Sequence, residues 1–287
     1  MQRAEELVAR SINALTERHG FGTMARLRPP DFQLFSLRDD PDGLWVAEAD
    51  GEIVGFAFSW VCGDLWFLAE LFVAPDHQGA GLGNQLLMRT LEHARKTGAT
   101  NKALITFAFN SVSQGLYIRQ GFFPRLPLYF LNVTHDTLMS RFRGETLQHA
   151  QIADTPSHLG SLRQIDASVL GISRDKHHRY LLNEKAMKGV FFYEGGDRVG
   201  YAYVSADGHI GPLAVVQRNA MGAAFETALR LSAQRGTPQV SALVPGASEA
   251  LGIAIERGMR ITFPMVLASA RDFGDWTRYL PRNPGFM

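Results

Sequence analysis

The stretch LAELFVAPDHQGAGLGN (68–84) joins an apolar strand pattern to a helical one through Gly79, Gly81 and Gly83. Glycines let backbone amides approach a ligand closely and adopt dihedrals that other residues avoid. Free amides ahead of a helix make an anion site suited to phosphate or pyrophosphate. A second chemical signal lies just upstream. Glu70 sits inside LWFLAELFV (65–73), where a carboxylate is costly unless paired or useful, so it is read as a general base or as part of a structural ion pair. Strand alternation places it on the face of Leu68 and Phe72, opposite Leu71 and Val73.

Other phosphate loops fit poorly. A dinucleotide fold needs a third glycine where Asn84 stands and an acid near Ala103-Leu104, and a Walker loop needs Gly-Lys-Ser or Gly-Lys-Thr, which the chain lacks. The nine histidines show no metal spacing such as H-E-x-x-H, so no metal site is expected, and His177-His178 reads as a solvated loop or helix start. Cys62, the single cysteine, has no disulfide partner in the chain and reads as a small buried hydrophobe.

Two motifs carry a family resemblance. Gln78, Gly81 and Gly83 fit the pattern Gln or Arg, two residues, Gly, one residue, Gly or Ala. Downstream, Asn110, Ser113, Tyr117, Gly121 and Phe122 fit Asn, two residues, a small residue, three residues, Tyr, three residues, Gly-Phe. The chain resembles the GNAT superfamily of acyl-CoA N-acyltransferases, well over residues 1–134 and more loosely beyond. The resemblance implies an α/β (α+β) fold of two tandem GNAT-like domains, each a twisted, mixed but mostly antiparallel sheet flanked by helices. It implies acetyl-CoA or another acyl-CoA as cofactor, its pantetheine arm paired with backbone at Leu71, Phe72 and Val73. Amides of Gln78, Gly79, Ala80, Gly81, Leu82 and Gly83 would bind the pyrophosphate, and Asn84, Asn110, Ser113 and Tyr117 complete that site. Tyr117 falls where the family keeps a general acid for the departing sulfur; the alternative is a tyrosine packed for its ring.

The elements that must position these groups are written in a repeat. GEIVGFAFS (51–59) and DRVGYAYVS (197–205) are matching strands, and each is followed by strand, helix, strand and a short helix ending in glycine. The helix after the loop spans about Leu82 to Thr97, with Leu86, Leu87, Leu91 and Ala94 on one face and a stop at Gly98. Domains are therefore expected at 1–142, the catalytic acyl-CoA-binding copy, and 143–287. The second copy reads PLAVVQRNAMGAA (212–224) at the corresponding turn, with Ala220 for the first glycine and no tyrosine at the acid position, so it is a degenerate copy expected to bind no acyl-CoA. The first copy starts directly in an amphipathic helix: either the fold's first strand is absent or the true start lies upstream of Met1. The tail 281–287 is expected to be extended.

Composition narrows the partner. The 29 basic and 28 acidic residues give a net charge of +1, which offers no field for nucleic acid or an anionic membrane. A cytoplasmic protein acting on a small-molecule amine is expected. Trp45, Phe56, Phe58, Trp60, Trp66, Phe107 and Phe109 line an acceptor cleft or form core. The two functional readings are direct acyl transfer to an amine, and a non-enzymatic acyl-CoA sensor or interaction protein.

Overall fold

The computed structural model describes Met1–Met287, and its chain separates into two compact units, Met1–Pro124 with Leu267–Arg271, and Arg125–Val266 with Asp272–Met287. This differs from the expected division at 142. The strand Phe123–Thr134 pairs antiparallel with Gln239–Pro245 from Thr134↔Gln239 to Leu128↔Pro245, so nearly all of it packs with the second unit.

The first unit runs α1 (Gln2–Arg18), α2 (Asp31–Asp39), β1 (Leu44–Ala49), β2 (Glu52–Cys62), β3 (Leu65–Val73), α3 (Leu82–Thr97), β4 (Asn101–Phe107) and α4 (Ser111–Arg119). No strand precedes α1 in this chain. Strands β1, β2 and β3 are antiparallel neighbours, and β4 joins β3 in parallel. Helix α3 has the expected bounds because its signals agree: Leu86, Leu87 and Ala94 bury one stripe, Arg95 and Lys96 sit in the last turn, and Gly98 closes it at φ 72°. On the same stripe the sealed His93 ring meets Ser59 Oγ at 3.1 Å and Asp40 Oδ1 at 2.7 Å, tethering the helix to β2 and to the end of α2. Trp66, Leu68, Leu87, Ala94, Leu104, Tyr117 and Phe122 form a core under α3 and α4.

One irregularity decides where Glu70 points. Phe58 pairs with Glu70 but Ser59 pairs with Leu68, so Ala69 is an unmatched bulge residue. Simple alternation would aim Glu70 with Leu68 into the Trp66 and Leu104 core. The bulge reverses it: Leu68 and Leu71 both pack in that core, while Glu70 turns to the α1 and α2 side. The expected grouping of Glu70 with Leu68 is therefore corrected.

The second unit runs β5 (Phe123–Thr134), α5 (His135–Arg141), β6 (Gln148–Gln151), α6 (Pro156–Leu170), α7 (Asp175–Asn183), β7 (Met187–Glu194), β8 (Asp197–Ser205), β9 (His209–Val215), α8 (Met221–Ala233), β10 (Gln239–Pro245), α9 (Glu249–Glu256), β11 (Arg260–Ser269) and β12 (Tyr279–Leu280), with Leu267–Ser269 of β11 belonging to the first unit. Its strand order is β11-β5-β10-β9-β8-β7-β6, and β12 adds antiparallel to β9 at Tyr279↔Ala214 and Leu280↔Leu213. The tail is not simply extended: Pro281, Phe286 and Met287 are buried and Asn283 bridges Phe286.

His177 and His178 open α7 but are sealed rather than solvated, at 0% and 1% exposure. His178 Nε2 meets Asp166 Oδ2 at 2.9 Å, and the same carboxylate accepts from Arg174 Nε at 2.9 Å and Tyr201 Oη at 2.6 Å. Although burial opposes it, the Arg174 and His178 charges hold the Asp166 carboxyl well below the usual carboxylate range.

Candidate functional site

The parallel pairing of β3 and β4 stops at Leu68↔Leu104, although β3 continues to Val73 and β4 to Phe107. The two strands part there, leaving the β4-facing edge of Leu71, Phe72 and Val73 without a strand partner. An extended chain with its own amide groups can pair with such an edge.

The loop follows where β3 ends. Gly79 and Gly81 hold φ 83° and 82°, and nothing lies within 4 Å of where a Cβ would stand on either, so the backbone is both unusual and open. Helix α3 has no side-chain cap, and Gln85 N–H, on Gly81 O at 3.1 Å, is the first amide to find a helical acceptor. Amides of Gly79, Ala80, Gly81, Leu82, Gly83 and Asn84 thus have no acceptor in the chain, which is the donor set a pyrophosphate needs. Gln78 differs from the expectation. Its amide donates to Pro75 O at 3.3 Å and its side chain to Val73 O at 3.0 Å, so it shapes the loop instead of facing a ligand. The Asn84 Oδ1 accepts from Gln120 Nε2 at 3.4 Å.

Asn110 caps α4: its Oδ1 accepts from Ser113 N–H at 3.2 Å and its Nδ2 donates to Ser113 Oγ at 2.8 Å. That cap fixes the helix carrying Tyr117, which is 6% exposed and packs with Leu68, Leu71 and Leu104. Burial raises the phenol pKa, against a lowering hydrogen bond with Ser113, so the hydroxyl keeps its proton.

Glu70 lies on the opposite face of β3. Gln33 Nε2 donates to Glu70 Oε1 at 2.8 Å and to Glu5 Oε1 at 2.7 Å, while Glu70 Oε2 is closed to solvent with no partner. Burial first, then the charge of Glu5, raises the Glu70 pKa from 4.5 to about 8, against the Gln33 hydrogen bond. Glu5 and Gln33 escaped the sequence reading. Glu5 borders the buried Ala4, Leu7 and Val8 stripe of α1, but nothing around Gln33 marks it as polar core.

Of the aromatic group, Phe56, Phe58, Trp60 and Trp66 are fully buried core. Phe107 and Phe109 stack at 5.0 Å, and Phe21, 38% exposed, stacks on Phe109 at 4.6 Å.

The second unit differs at each corresponding point. Strands β9 and β10 pair only at His209 and Ile210, and β12 fills the edge of β9 beyond them. Ala220 stands ahead of α8 at φ −80°, and a Cβ on Gly222 would meet Ile253 Cδ1 at 3.2 Å and Glu249 Oε1 at 3.3 Å.

Comparison with known proteins agrees with this geometry. Residues 10–122 match the acetyltransferase (GNAT) family. A mycothiol acetyltransferase of Streptomyces coelicolor is 35% identical over 109 residues, covering 37% of this chain and 32% of its own length, so the match spans about a third of that relative. Two solved structures share the fold over nearly the whole chain. A Pyrococcus horikoshii protein assigned as an acetyltransferase has TM-score 0.77 at 15% identity, covering 99% of this chain and 92% of its own. A tandem GNAT protein from the clavulanic acid biosynthesis pathway has TM-score 0.59 at 16% identity, covering 94% of both chains. A parted strand pair and a glycine loop that opens an uncapped helix lie within the same segment, residues 10–122, that matches the acetyltransferase (GNAT) family.

Proposed function

We propose that the first unit is an N-acetyltransferase that takes acetyl-CoA, or another acyl-CoA, and passes the acyl group directly to an amine of a small-molecule acceptor. The observation that carries this is the open β3 edge from Leu71 to Val73 running straight into a row of unbonded amides from Gly79 to Asn84. An acyl-CoA supplies an activated thioester carbonyl. Backbone at Leu71 to Val73 aligns its pantetheine arm, the loop amides hold its pyrophosphate, and an amide of β3 polarises the carbonyl.

The two proton-handling residues suit opposite tasks. Glu70 and Tyr117 sit on opposite faces of β3, so one attends the incoming amine and the other the departing sulfur. Glu70, in its carboxylate form, takes the proton that the nitrogen sheds as it bonds to the carbonyl carbon. Tyr117 Oη gives a proton to sulfur as the carbon–sulfur bond breaks, and burial keeps it charged with that proton beforehand. Asn110 and Ser113 support this indirectly by holding the first turn of α4. The second unit, with its edge filled and Ala220 where the first copy has a loop glycine, is read as a degenerate copy without an acyl-CoA site.

Calorimetric titration with acetyl-CoA tests the reading. One site per chain is expected, lost in Gly81→Glu, because a side chain strains the left-handed backbone there and a carboxylate adds negative charge beside the loop amides. Absence of binding to the native chain would overturn the proposal, and two sites would overturn the reading of the second unit. A panel of primary amines with acetyl-CoA, followed by thiol release, then identifies an acceptor.

A further inference from the structure

Three elements of the first unit converge on one carboxamide. Gln33 is 8% exposed, and its Nε2 donates to Glu70 from β3 at 2.8 Å and to Glu5 from α1 at 2.7 Å. An amide nitrogen carries two protons, so both are spent on this pair of carboxylates. Two like charges held by one neutral group repel each other, and proximity favours a shared proton. Glu70 Oε2, buried and without a partner, is the oxygen left to take it. The groups facing Glu70 are few: Glu5 from α1, Gln33 from α2, and Phe58 opposite it on β2.

We infer that Gln33 is a positioning residue and Glu5 a tuning residue for the reaction: the Gln33 carboxamide occupies Glu70 Oε1 so that Oε2 is the oxygen left to take the amine's proton, and the Glu5 carboxylate, held by the same Gln33 nitrogen, tunes that oxygen. The inference rests on the reading of Glu70 as the base. It gives each partner an opposite sign. The Gln33 hydrogen bond favours the Glu70 carboxylate, whereas the Glu5 charge disfavours it. Losing either therefore moves the titration of Glu70 in opposite directions, which a purely structural contribution has no reason to do.

The test follows that sign. The full chain, labelled with carbon-13 at its glutamate carboxyls, is titrated with acid and base by NMR. A carboxyl with midpoint near 8 is expected, absent in Glu70→Gln. The midpoint should fall in Glu5→Gln and rise in Gln33→Leu, each by about half a pH unit or more. Should Gln33→Leu fail to fold, Gln33→Met keeps the length of the chain and makes the same prediction. With the fastest amine of the panel, the alkaline rise in kcat/KM should move in step with each midpoint while acetyl-CoA affinity stays unchanged. Midpoints unmoved in both variants would overturn the inference and leave the proposed function standing. Loss of acetyl-CoA binding in the native chain would overturn that function and leave these midpoints as expected.

Discussion

Strands β3 and β9 hold equivalent places in the two copies of the repeat, and they differ in what lies along one edge. Both start in parallel with a neighbour and both lose it, β3 after Leu68 and β9 after Ile210. Beyond that point β3 stays bare, whereas β9 takes Tyr279 and Leu280 as a substitute strand, reinforced by Val215 N–H on Arg278 O at 3.0 Å. A bare edge leaves backbone groups for a ligand to satisfy, and a filled one satisfies them within the chain. The fold tolerates both because the parting of the strands is a property of the backbone, and what fills the gap is a separate choice. The same contrast extends to the loops. Positive-φ glycines keep the end of α3 open, while Ala220 and the α9 side chains close the end of α8.

The contrast can be broken from the second unit first. Asp166→Ala should cost about 3–5 kcal/mol in denaturant unfolding, because it strands the buried charge of Arg174, whose guanidinium also donates to Met287 O of the tail. Leu280→Ala, at a fully buried position of β12, should cost about 2–5 kcal/mol without creating a second acetyl-CoA site by calorimetry; a gained site would mean that the strand alone excludes the ligand. In the first unit, Tyr117→Phe should keep acetyl-CoA affinity and lower kcat roughly 100-fold, and unchanged turnover would reduce the tyrosine to a packed ring. A further effect concerns pH. Folded Glu70 holds its proton to about pH 8 while the unfolded residue releases it near 4.5, so the folded state binds more protons between those values. Stability therefore falls as pH rises through that window, and Glu70→Gln should flatten the fall in a melting series.

Much of the first unit was legible in the sequence because local signals agreed there. Gly81 and Gly98 punctuate a helix whose apolar spacing already demanded one, and both lie at its ends with left-handed backbone. The end of β3, the bareness of its loop and the replacement of a loop glycine by Ala220 in the second copy follow from residues whose conformational needs are intrinsic. What escaped depends on pairing between distant segments. The bulge at Ala69 leaves no mark in LWFLAELFV, yet it decides whether Glu70 enters core or a polar niche. Gln33 matters only because α1 and β3 each bring it a carboxylate. His178 looked solvated because its partners, Asp166, Tyr201 and Tyr203, are scattered along the chain. Gln78 matched a motif, but its donors are turned inward.

The strand that fills β9 also sets an order of events during synthesis. HIGPLAV leaves the ribosome well before Tyr279 and Leu280 do, so a growing chain carries an apolar strand with an uncovered edge until its much later partner arrives. The first unit keeps its bare edge for good, framed by helices and a glycine loop. In the second, the same bareness lasts only until the end of the chain has been made.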